Sequence, residues 1–250
     1  MIRRTLGTVT LLLIAACGGT QTNSNLPAAT SITVFAAASL QPAFDKIGAQ
    51  LQTKQNMTVT FSYAGTQTLT SQLTQGAQAD VFASADTAHM TTLQTAGLVA
   101  GTPKPFAHNR LEIAVERGNP KNIHTLADLS RPGLVVVLAD PSVPAGKYAQ
   151  QALAKAGVTV HPASFETQVT GVLSKVALGE ADAGIVYVSD IVTSGKVDGI
   201  AIPDNQNVIA DYPIARLNGA QNKNAADAFI AYVLSPDGQS ILAGAGFEKV

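Results

Sequence analysis

The sequence predicts an α/β fold made of two lobes, each built on a mainly parallel sheet flanked by helices, with a cleft between the lobes. Apolar runs of strand length alternate with segments of helical spacing from Ile32 to Leu234. Such alternation is typical of parallel sheets covered on both faces. Four of the strand-like runs end in small or hydroxylated residues directly before a helix-like pattern. Turns of this kind lie beyond the carboxyl ends of strands, and two facing sheets can aim all of them at one point more easily than a single sheet can.

Strands are predicted where apolar and β-branched residues dominate a short run. These runs are 32–37, 57–61, 80–83, 111–115, 134–138, 183–187 and 209–217. Helices are predicted where apolar residues recur at helical spacing, as Phe44, Ile47 and Leu51 do. These segments are 41–51, 69–73, 87–96, 145–156, 169–178 and 225–234. Gly97 and Gly157 follow two of the helices and favour a helix end at those positions.

The N-terminus has the features of a secretion signal. A basic start is followed by an apolar run, Thr8 to Ala16, that is too short to span a bilayer as a permanent helix. The next residue is Cys17, and the segment Ile14-Ala15-Ala16-Cys17 resembles a bacterial lipoprotein cleavage box. We therefore expect residues 1–16 to be a lipoprotein signal peptide and Cys17 to carry lipid. An ordinary signal peptide cut nearby, or an unmodified thiol, is the alternative.

Residues 17–31 are rich in Gly, Thr, Asn and Ser without an apolar period, which is typical of a flexible tether.

Composition excludes several classes of function. The formal net charge is −1 and there is no block of Lys or Arg, which argues against nucleic acid as a partner. No second apolar run is long enough to cross a membrane. The histidines show no spacing suited to a bound metal cation, and nothing indicates a cofactor.

The four turns carry the functional signal. They lie at 34–40, 62–69, 140–148 and 184–190. Free backbone N–H groups at a helix N-terminus lack intrahelical partners and carry partial positive charge. A tetrahedral oxyanion can accept hydrogen bonds from several of them together. The neighbouring charges fit a structural role better, because Lys147 is expected to point to solvent and carboxylates such as Asp80 and Asp86 would repel an anion.

Taken in order, the motifs resemble the periplasmic molybdate-binding proteins of ABC transporters. The segments that carry the resemblance are 32–40, 79–86, 143–149 and 184–187, and it extends from about Ile32 to Val250. It implies a periplasmic binding protein fold with the ligand cleft between the lobes. Lobe 1 would hold residues 32–109 and 210–250, and lobe 2 residues 110–209. The chain would cross between lobes near Asn109-Arg110 and Ala210-Asp211.

The resemblance also implies a ligand set. The donors would be the hydroxyls of Ser39, Thr66 and Tyr187 and the backbone amides of Ala145 and Val169. Many family members have serine where this chain has Thr66, which keeps the hydroxyl and adds a methyl group. From position alone, other interpretations stay open. Ser39 suits a helix N-cap, Thr66 a simple turn, Ala145 a plain Pro-Ala-Gly turn, Val169 the core, and Tyr187 a core position bonded to a carbonyl.

The expected function is capture of molybdate, with tungstate as a companion ligand, and delivery to the permease of an ABC transporter. Sulfate or another tetrahedral oxyanion is the alternative within the binding class. A serine hydrolase that uses Ser39 with a histidine is the alternative from another class, disfavoured because the chain has no Gly-x-Ser-x-Gly segment. We expect a monomer without enzymatic activity, held by lipid on the outer, extracytoplasmic face of the cell membrane.

Overall fold

The structure is a computed structural model, and it describes residues 30–250. These residues form two lobes, each with its own five-stranded sheet. The predicted signal peptide, the proposed lipid site at Cys17 and nearly all of the predicted tether lie outside the described residues. No helix within residues 30–250 is long and apolar enough to cross a membrane.

Lobe 1 is assembled from both ends of the described chain. Its elements are β1 Thr30–Ala37, α1 Gln41–Gln55, β2 Met57–Ala64, α2 Thr66–Thr74, β3 Val81–Ala83, α3 Thr87–Thr95, β4 Lys104–Asn109, β10 Ala210–Arg216, α7 Lys223–Leu234 and α8 Pro236–Gly244. A 3-10 turn, Ala38–Leu40, joins β1 to α1. The core of this lobe contains an aromatic cluster around Phe44, whose ring lies edge-on to Phe229 with centroids 5.7 Å apart.

Lobe 2 is the continuous middle of the chain. Its elements are β5 Leu111–Glu116, β6 Val136–Ala139, α4 Pro144–Ala156, β7 Ser164–Glu166, α5 Val169–Ala177, β8 Ala183–Tyr187, α6 Val188–Ser194 and β9 Val197–Ala201. A second 3-10 turn, Leu126–Ser130, precedes β6. The core of this lobe is aliphatic and tight. A Cβ atom added at Gly184 would lie 2.3 Å from the side chain of Val172, so α5 packs directly on β8.

The two sheets share one topology. The strand order is β2-β1-β3-β10-β4 in lobe 1 and β7-β6-β8-β5-β9 in lobe 2. In each sheet a single strand, β10 or β5, runs antiparallel to both of its neighbours, while the other strands run in a common direction. That strand is the first one after the chain has crossed into its lobe from the other lobe. The carboxyl ends of β1, β2, β6 and β8 consequently meet at the cleft, which is where the four turns lie.

The chain passes between the lobes at two places. Asn109 ends β4 in one sheet, and Leu111 begins β5 in the other. Residues 202–209 lead back from β9 to β10. Side chains fix the first crossing to α6 and join it to the second crossing. Asn109 Nδ2 donates to Ser189 Oγ at 2.8 Å, and the side chain of Asn207 bonds both the N–H and the C=O of Leu111, at 3.1 and 2.9 Å.

Several elements differ from the sequence prediction. β4, β7, β9 and α8 were not predicted, and α6 was indicated only as a helix-like pattern at the turn 184–190. β4 and β9 are edge strands whose polar and turn-forming residues, such as Pro105 and Gly199, obscure the strand pattern. β7 has only three residues. α2 begins at Thr66, three residues before the predicted start, so Thr66 belongs to the helix and not to the preceding turn.

Candidate anion-binding site

A small cavity between the lobes contains every residue of the ligand set expected from the resemblance. Its volume is about 10 Å³. No charged side chain lines it. The lining residues are Ala37, Ala38, Ser39, Gly65, Thr66, Ala85, Val143, Pro144, Ala145, Val169 and Tyr187. In this structure the lobes leave room for about one water molecule, so the cavity is far too small for a typical organic ligand.

A larger groove lies nearby but has a different character. It has a volume of about 540 Å³ and runs between the N-terminus of α1 and the helices α5 and α6. The groove is open to solvent, and its wall includes exposed Leu178. It lacks the converging set of donors found in the small cavity, so the small cavity is the candidate site.

Ser39 presents its hydroxyl from the 3-10 turn between β1 and α1. It is 4% exposed, and its Oγ lies 2.9 Å from the hydroxyl oxygen of Tyr212 on β10. The prediction that Ser39 is an N-cap is wrong: Leu40 occupies the N-cap of α1, and no side chain caps either helical segment. Ser39 lies inside the 3-10 turn, one residue before the N-cap position of α1. Its hydroxyl is therefore directed to the cavity and to Tyr212.

Thr66 is the first residue of α2, following the N-cap residue Gly65. Its side chain is buried, and its Oγ1 accepts a hydrogen bond from the backbone N–H of Ala85 at 3.3 Å. A hydroxyl that accepts from the protein keeps its own proton for another partner. The alternative of a simple turn is wrong for Thr66, because its backbone is helical and its C=O accepts from Thr70 Oγ1 at 2.8 Å.

The backbone amides of Ala145 and Val169 lie at two helix N-termini in lobe 2. Ala145 is the second residue of α4, and Val169 is the first residue of α5. Neither N–H group can reach an acceptor within its own helix, and both carry the positive end of a helix dipole. Gly146 lets α4 approach the end of β6 closely, since a Cβ atom there would lie 2.1 Å from the carbonyl oxygen of Asp140.

Tyr187 ends β8 and completes the donor set. It is 1% exposed, and its hydroxyl oxygen has no hydrogen-bond partner within residues 30–250. The alternative of a core tyrosine bonded to a carbonyl is therefore wrong. Burial raises the pKa of Tyr187 well above its usual value, so the hydroxyl stays protonated and can only donate to an anion. A buried hydroxyl aimed into a cavity without a protein partner points to a ligand.

A buried carboxylate lies behind Tyr187. Asp190 Oδ2 accepts from the backbone N–H of Tyr187 at 3.0 Å. Asp190 is 3% exposed and makes no ion pair within the described residues. Burial raises the pKa of Asp190 to about 7. Its charge also contributes to the raised pKa values of Tyr187 and Tyr212, so this carboxylate acts electrostatically on the cavity.

The lobes touch each other around the cavity. Gln67 Nε2, from lobe 1, donates to the carbonyl oxygen of Thr167 in lobe 2 at 2.8 Å. The rings of Tyr187 and Tyr212 meet edge to face across the lobe boundary, with centroids 5.9 Å apart. A Cβ atom added at Gly65 would lie 2.5 Å from the same Thr167 oxygen. Donors from both lobes are thereby brought to one small space lined by buried residues.

The neighbouring charged residues have structural roles, as the sequence indicated. Asp86 is the N-cap of α3 and accepts from His89 N–H at 3.0 Å. Asp80 accepts from the N–H groups of Thr33 and Gln221, both at 2.7 Å. Lys147 is exposed on α4. No cluster of side chains suited to a metal cation exists in the part of the chain that the structure describes.

Sequence reasoning missed two contributors to the site. Tyr212 supports Ser39, and the Ala85 amide supports Thr66. Ala85 follows β3 in a segment that carries the resemblance, so its place near the site could be predicted. Its hydrogen bond to Thr66 could not be predicted from the sequence. Tyr212 lies just after the second lobe crossing, in the strand predicted at 209–217, to which no role in the site was assigned.

The hydrolase alternative finds no support in the geometry. Ser39 Oγ contacts a tyrosine, whereas His89 is bonded to Asp86 and His108 lies 2.7 Å from Asp211. Two lobes that close over a small, uncharged, donor-lined cavity define a solute-binding protein. The chain belongs to the bacterial extracellular solute-binding protein family, whose model matches residues 32–248.

Individual relatives narrow the comparison. The molybdate-binding protein ModA of Mycobacterium tuberculosis is 46% identical over 253 residues, covering 97% of both chains. The substrate-binding domain of a putative molybdenum ABC transporter from Clostridium difficile is 29% identical with a TM-score of 0.67, covering 88% of this chain and 99% of that one. The sulfate-binding protein SubI of M. tuberculosis has a TM-score of 0.80 at 23% identity, covering 88% and 87%. This last likeness concerns the fold.

Proposed function

We propose that this protein captures molybdate, and tungstate with it, and delivers the oxyanion to the permease of an ABC transporter. The observation that carries the proposal is the cavity in which three hydroxyls and two helix N-terminal amides converge without a charged side chain. The ligand set is Ser39, Thr66, Ala145, Val169 and Tyr187. No resident cofactor or bare metal cation is involved, since molybdenum enters as its oxyanion.

The chemistry of the donor set favours a fully ionised oxyanion. Molybdate and tungstate near neutral pH offer only acceptors, so the best site offers only donors. A phosphate that carries a proton would need an acceptor as well, and the cavity lining provides none among its side chains apart from hydroxyls. Neutral dipoles stabilise a dianion when they are fixed in place and shielded from water.

The choice between molybdate and sulfate rests on size and on relatives. Sulfate is also a dianion with acceptors only, so the donor set accepts both in principle, and the radius of the cavity must discriminate. The relative with 46% identity is a molybdate-binding protein, whereas the sulfate-binding protein resembles this chain at 23% identity, where likeness speaks for the fold alone. We therefore place molybdate first.

The cellular context completes the proposal. The transporter partner is supported by the relative from C. difficile, which is the substrate-binding domain of a putative molybdenum ABC transporter. The segment Ile14-Ala15-Ala16-Cys17 supports a lipid at Cys17 that holds a monomeric protein on the outer face of the cell membrane. A monomer suffices for binding in this proposal, because one chain supplies all five hydrogen-bond donors.

Isothermal titration of the purified protein with molybdate, tungstate, sulfate and phosphate tests the proposal. We expect submicromolar binding of molybdate and tungstate, about 8 kcal/mol or more, and binding of sulfate and phosphate at least roughly 100-fold weaker, about 3 kcal/mol. Equal affinity for sulfate would contradict the selectivity, and absence of molybdate binding would contradict the function. Ala145→Ser is the control, because it keeps the backbone donor and should change affinity far less than loss of a hydroxyl.

A further inference from the structure

Tyr212 contacts the candidate site without lining it. It lies on β10, in the strand that follows the second lobe crossing, and its side chain is fully buried. Its hydroxyl oxygen lies 2.9 Å from Ser39 Oγ, where either atom can donate. Its ring is held edge to face by Phe106, Phe247 and Tyr187, with centroid distances of 6.2, 5.3 and 5.9 Å. The hydroxyl is therefore fixed by packing on three sides.

A bound dianion settles the direction of this hydrogen bond. Ser39 has a single hydroxyl proton, and an oxyanion that offers only acceptors draws that proton into the cavity. The bond between Ser39 and Tyr212 then requires the proton of Tyr212, which donates to Ser39 Oγ. Burial raises the pKa of Tyr212 above its usual value, so this proton is retained throughout the physiological range.

The same arrangement occurs at the other hydroxyl of lobe 1. Thr66 Oγ1 accepts from the backbone N–H of Ala85 at 3.3 Å, just as Ser39 would accept from Tyr212. Each hydroxyl then has its acceptor position filled by the protein and its proton free for the ligand. A hydroxyl held in this way needs no reorientation when the anion arrives, and such preorganisation strengthens electrostatic binding.

We infer that Tyr212 is a positioning residue for oxyanion binding, which acts through Ser39 by donating a hydrogen bond that directs the serine proton into the cavity. The inference rests on the proposed function of the site. It predicts that the contribution of Tyr212 disappears when the serine hydroxyl is absent. A residue that served packing alone would contribute equally with or without that hydroxyl.

A double-mutant cycle with molybdate as the titrated ligand tests this inference. We expect Tyr212→Phe to weaken binding roughly 3- to 10-fold, as loss of one neutral hydrogen bond would. Ser39→Ala should weaken it roughly 10- to 100-fold, and adding Tyr212→Phe to Ser39→Ala should change affinity by less than about twofold. Tyr232→Phe is the matched control, because that hydroxyl is also buried in lobe 1 but lies outside the cavity. The Tyr232→Phe variant should bind molybdate with the affinity of the unmodified protein.

Para-aminophenylalanine at position 212 provides the rescue. It keeps a donor at the same place on the ring and should restore most of the affinity that Tyr212→Phe loses, which also covers the case in which the phenylalanine variant folds poorly. Wild-type affinity in Tyr212→Phe would overturn the inference, as would an equal loss in the presence and absence of Ser39. Failure of the unmodified protein to bind molybdate would instead overturn the proposed function.

Discussion

Removal of the Tyr187 hydroxyl should affect ligand affinity and the stability of the ligand-free protein in different ways. In Tyr187→Phe the ring that packs against Tyr212 stays, and only the oxygen is lost. That oxygen has no hydrogen-bond partner of standard geometry within residues 30–250, so its loss removes at most a weak interaction with the Tyr212 hydroxyl. We therefore expect the free energy of unfolding of the ligand-free protein to stay the same or to rise by about 1 kcal/mol, since an unpaired buried hydroxyl is unfavourable.

The same change should weaken molybdate binding markedly. A hydrogen bond to a charged group contributes about 1.5–3 kcal/mol, which corresponds to a loss of roughly 10- to 100-fold in affinity. The assay is thermal unfolding with and without saturating molybdate, combined with calorimetric titration. The ligand-free melting temperature should stay or rise by about 2–4 °C, while the shift produced by molybdate becomes smaller.

A matched control isolates the position of the hydroxyl. Tyr232 also carries a buried hydroxyl without a partner in the described residues, on α7 and outside the cavity. Tyr232→Phe should behave like Tyr187→Phe in ligand-free stability and like the unmodified protein in binding. A Tyr187→Phe variant that binds molybdate as tightly as the unmodified protein would refute the reasoning, because the unpartnered hydroxyl would then have no part in the site.

Further predictions concern closure, pH and anchoring. Gly65→Ala places a methyl group against the Thr167 carbonyl and should weaken binding at least about 10-fold by holding the lobes apart, as measured by titration. Gly244→Ala is the control, because Gly244 is exposed and an added methyl group there meets open space; unchanged affinity in Gly65→Ala would contradict the closed geometry. Small-angle scattering should show a smaller radius of gyration with molybdate than without it, and identical profiles would indicate rigid lobes. The pKa of Asp190 is about 7, and a nearby dianion favours the protonated form of this carboxyl. The affinity for molybdate should therefore rise as pH falls from about 8 to 6. Asp190→Asn should flatten this pH dependence, and an unchanged dependence in that variant would mean that another group causes it. Cys17→Ala should release soluble protein from membranes, whereas an unmodified N-terminus in the mass of membrane-extracted protein would contradict lipidation.

The sequence predicted the architecture well because its signals are local. β1, β8, α4 and α5 are long apolar runs or clear helical patterns, and Gly157 ends α4 in the left-handed conformation expected of it. The strands that were missed lie at sheet edges or are very short. An edge strand such as β9 packs against one neighbour only, so Asp198 and Gly199 are tolerated and the apolar pattern is lost.

The family resemblance pointed to five residues that the structure places around one cavity, and their role as ligands stays a prediction. Their contacts were predicted only in part. The bond between Ser39 and Tyr212 joins residues 173 positions apart, and no local pattern reports such a pairing. The wrong N-cap assignment of Ser39 has the same origin. A one-turn 3-10 segment after β1 shifts the start of α1, and Ala38-Ser39-Leu40 gives no sign of that shift.

The most direct test of the central claim is a crystal structure of the protein with molybdate, with data collected at the molybdenum absorption edge. The account predicts one anomalous peak in the cavity between the lobes. The oxygens around it should lie within hydrogen-bond distance of the hydroxyls of Ser39, Thr66 and Tyr187 and the amides of Ala145 and Val169. A peak at another place, or no peak in the cavity at saturating molybdate, would contradict the account.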